Sequence, residues 1–428
     1  MATGTGKTIT SLNCAKALLD EEGILNLIIL VPTIDLADQW KKDIKQILFP
    51  YVVLANSKNQ GWYREALDAV NNAQHTNYCI VATYATFLTK RFGYIVSKTS
   101  ATTMLIADEV HNFGTQKHIS AYPSHIERRL GLSATPDRHF DEIGTTRMLQ
   151  YFGAEAGPTF SFDMADAIEQ GYLCEYYYYP VIVRLTEAEL TNYKIISRRL
   201  LQYFSKKTGE FKDSPLVKML LLKRKRIIHN AANKFNVFRG ILRELLNKYK
   251  PLSHVLVYVP EGNEIRPDDE DIKLINEYSR IVSSEFDLSQ HQFIGLTKSR
   301  SRILEEFSNG QISVLTAMKC LDEGVDVKRA QIAIFCSSTG NPRQFIQRRG
   351  RILRTHPDKK FAIIYDMVVA PAITNQYFED SLLMERMILQ GELRRVREFA
   401  VLSLNHYQAL HTLEVVAKEF DLDIYSNE

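Results

Sequence analysis

The sequence has no apolar run of the ~20 residues that a helical membrane span requires. Its first residues are glycine- and threonine-rich where a secretory leader would have its apolar core. Charge of either sign is scarcely in excess: 53 Lys and Arg against 50 Asp and Glu leave a formal net charge of +3. The chain is therefore no basic coat for a polyanion, and any polyanion site has to be a local groove on a near-neutral surface. Cysteine is sparse. The five, Cys14, Cys79, Cys174, Cys320 and Cys336, lack the paired spacing of a zinc site or a disulfide framework. Three sit in the apolar runs "YCIVA", "MKCL" and "FCSS", which predicts buried thiols in a reducing compartment, with the cytoplasm as the expected setting. Short-period repeats and low-complexity tracts are missing too.

What is present is core-forming material. With 428 residues, 45% hydrophobic and 24% charged, the chain can bury the cores of two or three soluble domains. Apolar runs without alternation, "NLIILV" (26–31), "YCIVA" (78–82) and "TMLIA" (103–107), alternate with helical patterns, as parallel strands buried on both faces require. After "LVPT", residues Leu36, Ala37, Trp40, Ile44 and Ile47 fall on one helical face. The pattern returns with "HVLVYV" (254–259), "QFIGL" (292–296), "ISVLT" (312–316), "QIAIF" (331–335) and "FAIIY" (361–365). The fold class is α/β with mostly parallel sheets.

Between the two halves lies "CEYYYYPVIVRL" (174–185), an extended strand whose Pro180 calls for an edge or a first position. A helix capped at "TEAE" follows, then a turn-rich stretch and a basic helix through "KRKRIIHNAANKF" (223–235). The expected organisation is a first α/β domain over 1–152, a connector with insertion over 153–230, a second α/β domain over 231–370 and a helical tail over 371–428.

The chemistry begins at "MATGTGKTIT". In a phosphate-binding loop, backbone N–H groups of a glycine-rich turn surround phosphate at a helix N-terminus, a lysine reaches the outer phosphates and a hydroxyl binds Mg²⁺. Gly4, Thr5, Gly6, Lys7 and Thr8 have those types in that order, while Met1 stands where the strict pattern has glycine. Alone, such a loop is also an ordinary strand-to-helix turn. "LIADEVH" (105–111) changes the balance, because an apolar strand delivers Asp108 and Glu109 at its carboxyl end. The first can hold Mg²⁺ and the second can activate a water for in-line attack on a phosphoryl group. An acidic strand end facing solvent is the bland alternative, and the pairing with the loop disfavours it.

The ordered set of motifs resembles the superfamily 2 helicases and translocases. "ATGTGKT" (2–8), "LVPTIDLADQW" (30–40), "VATYATF" (81–87), "DEVH" (108–111), "GLSATP" (131–136), "LDEGVDV" (321–327) and "QFIQRRGRILR" (344–354) look like motifs I, Ia, the next nucleic-acid contact, II, III, V and VI. Their flavour is similar to the branch of XPB-like repair translocases and type III restriction-enzyme motor subunits. The resemblance implies two RecA-like domains that close on ATP and Mg²⁺. Lys7 and Thr8 would bind phosphate and metal, Asp108 the metal, and Glu109 would be the general base. Gly324 and Asp326 match motif V, whereas Met318 replaces its usual threonine. His111, Ser133, Thr135 and Gln347 would couple hydrolysis to movement.

Arg351 and Arg354 correspond to the arginine fingers. Three apart on an expected helix, both can point toward charge developing on phosphate. Seen alone, their segment would read as a solvated basic helix face.

Pro32, Thr33 and Thr83 follow buried strands and could hold phosphates without reading bases, or serve as turn and cap residues. Lys223 to Arg226 could line a nucleic-acid track or form a solvated helix face, and Tyr176 to Tyr179 fit core packing better than base stacking. The expected partner is nucleic acid, with double-stranded DNA favoured, in a restriction, defence or repair system with further domains or subunits. The rival is a non-translocating nucleotide-dependent switch within an assembly. Methionine before "ATGTGKT" resembles the family's own internal residue, so the chain is expected to be a fragment or to start internally, without the strand that leads into the loop.

Overall fold

The computed structural model describes residues 1–49, 51–73, 77–136, 141–205, 210–212, 214–260, 269–295, 297–318, 327–336, 342–370 and 379–425. The boundary between two compact units falls between Leu173 and Cys174.

The first unit is built on strands β1 (Asn26–Val31), β2 (Val53–Ala55), β3 (Cys79–Thr83), β4 (Thr103–Asp108) and β5 (Arg128–Leu132). They form one parallel sheet in the order β2-β3-β1-β4-β5. The unbroken apolar runs have a simple cause. Ile28 and Leu30 pack on one face with Ile80, Ala82, Leu105 and Ala107, whereas Leu27, Ile29 and Val31 pack on the other with Cys79, Val81, Met104 and Ile106. Each such side chain removed from water contributes ~1.5–3 kcal/mol, so a polar residue in mid-strand has no face to occupy. Helix Ile34–Ile47 covers the second face through Ala37, Trp40 and Ile44, all fully buried, with Leu36 and Ile47 at its margin. The face expected from the sequence is the face that packs.

The second unit holds β6 (Tyr176–Val183), the two-residue hairpin strands β7 (Phe204–Ser205) and β8 (Glu210–Phe211), then β9 (Val255–Tyr258), β10 (Gln290–Phe293), β11 (Val314–Ala317), β12 (Ile332–Phe335) and β13 (Ala362–Val369). Its main sheet is parallel throughout, in the order β10-β11-β9-β12-β13-β6. β10 ends before the expected "QFIGL" run does, because the Ile294 N–H turns to the Thr297 hydroxyl at 2.8 Å.

β6 is an edge, and its outer side explains Pro180. Tyr178 donates its N–H to the Asn405 side chain at 2.8 Å, and Asn405 returns a bond to the Tyr178 carbonyl at 2.9 Å. Two residues on, the same outward position is a proline, which has no N–H to satisfy. Tyr176 and Tyr178 are buried in the core, and Tyr179 stacks on Tyr365 at 5.1 Å, the packing role their strand suggested. Part of the segment read as a connector is thus the edge of the second sheet.

Thr186 and Glu189 form a capping box that opens helix Glu187–Leu201, as "TEAE" implied. The expected basic helix over 223–235 is two helices, Pro215–His229 and Asn233–Lys248, interrupted at 230–232. Nor is the basic run one solvated face: Arg224 is buried, bonded to Glu385 at 2.7 Å and to the Tyr193 hydroxyl. Glu385 belongs to helix Glu379–Val401, so the tail is packed into this unit. Cys79, Cys174 and Cys336 are buried and Cys14 is exposed, while Cys320 lies outside the described residues.

Lys234 is fully buried, its ammonium donating to the His229 carbonyl at 3.1 Å, and burial pushes its pKa down to about 8. Charging it in the folded state therefore costs stability below pH 8, and the cost fades as pH rises toward the unfolded value of 10.5. In urea melts, Lys234→Met should gain stability relative to the parent at pH 7. The difference should shrink by up to about 3 kcal/mol by pH 10.5.

Candidate nucleotide and nucleic-acid sites

In the first unit the chemistry gathers at the carboxyl ends of the strands, where a loop can leave the sheet and expose backbone N–H groups. Gly4 (φ 90°) and Gly6 (φ 87°) both take left-handed backbone, which a side chain at either position would strain. Gly6 stands at the N-cap of helix Lys7–Glu22, and its carbonyl accepts the Thr10 N–H at 2.9 Å. The Thr5 hydroxyl donates to the Ala2 carbonyl at 2.8 Å and closes the loop on itself. Lys7 folds back over the loop, its ammonium 3.4 Å from the carbonyls of Met1 and Ala2. Thr8 follows in the first helical turn, half-buried.

β4 delivers Asp108 to the same end. Alternation along the strand puts its side chain on the face of Met104 and Ile106, against the helix that carries Trp40. One carboxylate oxygen accepts the Trp40 indole N–H at 2.9 Å, and the other accepts the Glu109 N–H at 2.9 Å. The Tyr84 hydroxyl donates to the Asp108 carbonyl at 2.8 Å. Burial pushes the Asp108 carboxyl up, while the Trp40 bond, the Lys7 charge and the Glu109 N–H pull it back down. Its ionised form rests on those partners.

Glu109 has left-handed backbone (φ 48°, ψ 54°), a conformation that costs a non-glycine residue ~1 kcal/mol or more. The turn brings its carboxylate to 3.6 Å from His111 Nδ1, which lies 3.5 Å from the Ser133 hydroxyl. Ser133 accepts the Thr135 N–H at 3.0 Å. Glu109, His111, Ser133 and Thr135, spread over 27 positions of chain, are therefore joined at one strand-end cluster.

Thr33 and Thr83 sit at the ends of β1 and β3, and both act as helix caps. Thr33 accepts the Leu36 N–H and Thr83 accepts the Thr86 N–H, each at 3.3 Å. Pro32 precedes the first cap, half-buried. The capping role that these residue types allowed is realised.

In the second unit Gln347 and Arg351 lie on helix Pro342–Ile352 and are both buried. Arg354 does not share that helix. The helix stops at Ile352, and the Arg354 N–H turns back to the Arg351 carbonyl at 3.3 Å, so the expectation of two arginines on one helix is corrected. Gly324 and Asp326 lie outside the described residues.

A carboxylate and a hydroxyl, Asp108 and Thr8, are hard oxygen donors of the kind that hold Mg²⁺ when substrate phosphates supply further ligands. Among the described residues no cluster of three or more His, Cys, Asp or Glu could hold a metal by itself. Trp40 and Tyr84 were missed as functional neighbours of Asp108. Their signal was a polar tip on an otherwise apolar residue, which when buried requires a partner.

A glycine-rich turn at a helix start, beside an acidic strand end on an open parallel sheet, defines a P-loop nucleotide-binding domain. Residues 1–138 match the family model of the type III restriction enzyme res subunit, and residues 238–356 match that of the helicase conserved C-terminal domain. The chain thus carries a ResIII domain and a helicase C-terminal domain, and it is similar to XPB-like DNA translocases. It is 26% identical to the DNA 3'-5' translocase XPB2 of Sulfurisphaera tokodaii, over 85% of this chain and 76% of that protein. It is 24% identical to the putative DNA 3'-5' helicase Rad25 of Haloarcula marismortui, over 84% of this chain but 48% of that protein.

Among solved structures it resembles the ATP-dependent Type ISP restriction-modification enzyme LlaBIII bound to DNA, with TM-score 0.58 and 16% identity, over 93% of this chain and 28% of that one. It also resembles the Pyrococcus furiosus Hef helicase domain, with TM-score 0.52 and 17% identity, over 86% of this chain and 91% of that one. These likenesses show the fold, two RecA-like domains. Among the described residues no helix is long and apolar enough to cross a membrane.

The Thr33 cap has a stability consequence that urea unfolding can read. Thr33→Ala should lose about 0.5–2 kcal/mol, and Thr33→Ser should restore most of it.

Proposed function

We propose that the chain is the ATP-hydrolysing motor of a nucleic-acid translocase that acts on double-stranded DNA, in a restriction, defence or repair system of the cytoplasm. The observation that carries this reading is the strand-end cluster. A phosphate-type loop, a buried Asp108 and a strained Glu109 meet at one edge, and Glu109 is linked through His111 to Ser133 and Thr135. The names of the relatives, a DNA translocase and a putative DNA helicase, support DNA over RNA and movement in the 3'-5' direction.

In this reading Gly4, Thr5 and Gly6 give backbone N–H groups to the phosphates and Lys7 neutralises the outer ones. Thr8 and Asp108 hold Mg²⁺, which supplies electrostatic stabilisation of the transferring phosphoryl group when bound. Glu109 accepts the proton of the attacking water, its carboxylate placed by the left-handed turn. Arg351 and Arg354 act as the arginine fingers with Gln347 beside them, and Gly324 and Asp326 serve the nucleotide as the motif V positions. His111, Ser133 and Thr135 pass the state of Glu109 to the segment after β5, which gives hydrolysis a mechanical output. Pro32, Thr33 and Thr83 hold the phosphates of one strand, and loosened and renewed grips advance the motor.

The test is ATP hydrolysis by the chain with duplex DNA, single-stranded DNA and RNA, beside a Glu109→Gln control. Duplex DNA should raise the rate most, and Glu109→Gln should lower kcat by roughly 10²–10⁴-fold with nucleotide still bound. No hydrolysis above the control with any polymer would overturn the motor reading and leave the switch alternative.

A further inference from the structure

Asp108 is gripped by the two segments that carry the candidate nucleic-acid contacts. Thr33 caps helix Ile34–Ile47, and Trp40 of that helix donates to the Asp108 carboxylate at 2.9 Å. Thr83 caps the short helix Tyr84–Phe87, and Tyr84, the very next residue, donates to the Asp108 carbonyl at 2.8 Å. Both aromatic side chains are buried and reach Asp108 from opposite faces of the sheet, Trp40 from the cluster with Ile106 and Tyr84 from the cluster with Ala107. Neither bond belongs to the strand ladder that forms the sheet.

We infer that Trp40 and Tyr84 are positioning residues through which nucleic acid held at Thr33 and Thr83 sets the carboxylate of Asp108. The inference rests on the motor reading of the site. Thr33 caps the helix that carries Trp40, so a phosphate held there steadies Trp40 with it. The indole N–H is the only polar group of that side chain. A displacement of about 0.5–1 Å takes a 2.9 Å bond beyond useful length. Without that bond the carboxylate is held only by the Glu109 N–H, and an oxygen placed for the metal is lost. Tyr84 acts one bond further back, since the carbonyl it holds fixes the backbone from which the Asp108 side chain and the Glu109 turn depart. Nucleic-acid occupancy and metal affinity are thereby coupled, and the coupling runs both ways.

Trp40→Phe and Tyr84→Phe each delete one of these bonds, the second with almost no change in volume. The first measurement is the affinity for a fluorescent N-methylanthraniloyl ADP, with Mg²⁺ and with EDTA. The second is the stimulation of ATP hydrolysis by duplex DNA. Trp40→Phe should reduce the Mg²⁺-dependent gain in ADP affinity on the order of tenfold, as loss of a hydrogen bond to a charged group implies, with the EDTA affinity held within about twofold. Tyr84→Phe should keep most of the Mg²⁺ gain and lose at least half of the stimulation by DNA.

A parent Mg²⁺ gain and parent stimulation in both variants would overturn the inference and leave the motor reading standing. A parent protein with no Mg²⁺-dependent gain would overturn it too, because Asp108 would then hold no metal. A parent that binds Mg²⁺ and ADP but is stimulated by no nucleic acid would defeat the motor reading itself, and with it the coupling to Thr33 and Thr83.

Discussion

Covering both faces of a parallel sheet is the constraint on which the rest of the structure depends. Strands such as β1 and β4 are buried along their whole length, so polar chemistry is confined to their ends. A parallel sheet sends every strand's carboxyl end to the same edge, and that edge is where the backbone leaves the sheet with unpaired groups. The phosphate-type loop, Thr33, Thr83, Asp108 and Ser133 all stand at helix starts or just past strand ends. Their convergence from distant positions in the chain is a consequence of strand direction, and it needs no long-range pairing of its own.

The buried carboxylate of Asp108 is the costly element at that edge. An ionised group taken from water is tolerated only when hydrogen bonds and opposite charge replace the lost solvation. Trp40, the Glu109 N–H and the charge of Lys7 fill that role, and each comes from a different segment. A carboxylate held in this way is rigid and preorganised, which is what electrostatic catalysis on phosphate asks of a site. The left-handed turn at Glu109 adds a second local cost, repaid by the direction it gives to the neighbouring carboxylate.

Much of this was legible in the residues. Unbroken apolar runs announced strands covered on both sides, and the spacing of Ala37, Trp40 and Ile44 announced the face that covers one of them. Pro180 announced an edge or a first position because its nitrogen cannot join a ladder, and the edge is where it lies. The failures share a cause. Arg224 looked like part of a nucleic-acid track or of a solvated helix face, but its partners Glu385 and Tyr193 come from helices 161 and 31 residues away. Arg354 looked helical because its spacing from Arg351 is helical, while the chain turns after Ile352. Trp40 looked like plain core because nothing in the spacing of residues says what a buried N–H will meet.

What the sequence determined by itself is therefore the kind of protein: alternating strand and helix patterns, their order, and the residue types at each strand end suffice for two parallel α/β lobes with phosphate chemistry. Those signals are local, since hydrophobic period, capping and turn chemistry act over a few residues. The tertiary structure alone decided which groups meet Asp108, that His111 lies beside both Glu109 and Ser133, and that the tail helix supplies the partner of Arg224. These are contacts between segments, fixed by strand order and by which side of the sheet each residue faces, and no stretch of the chain carries that information on its own.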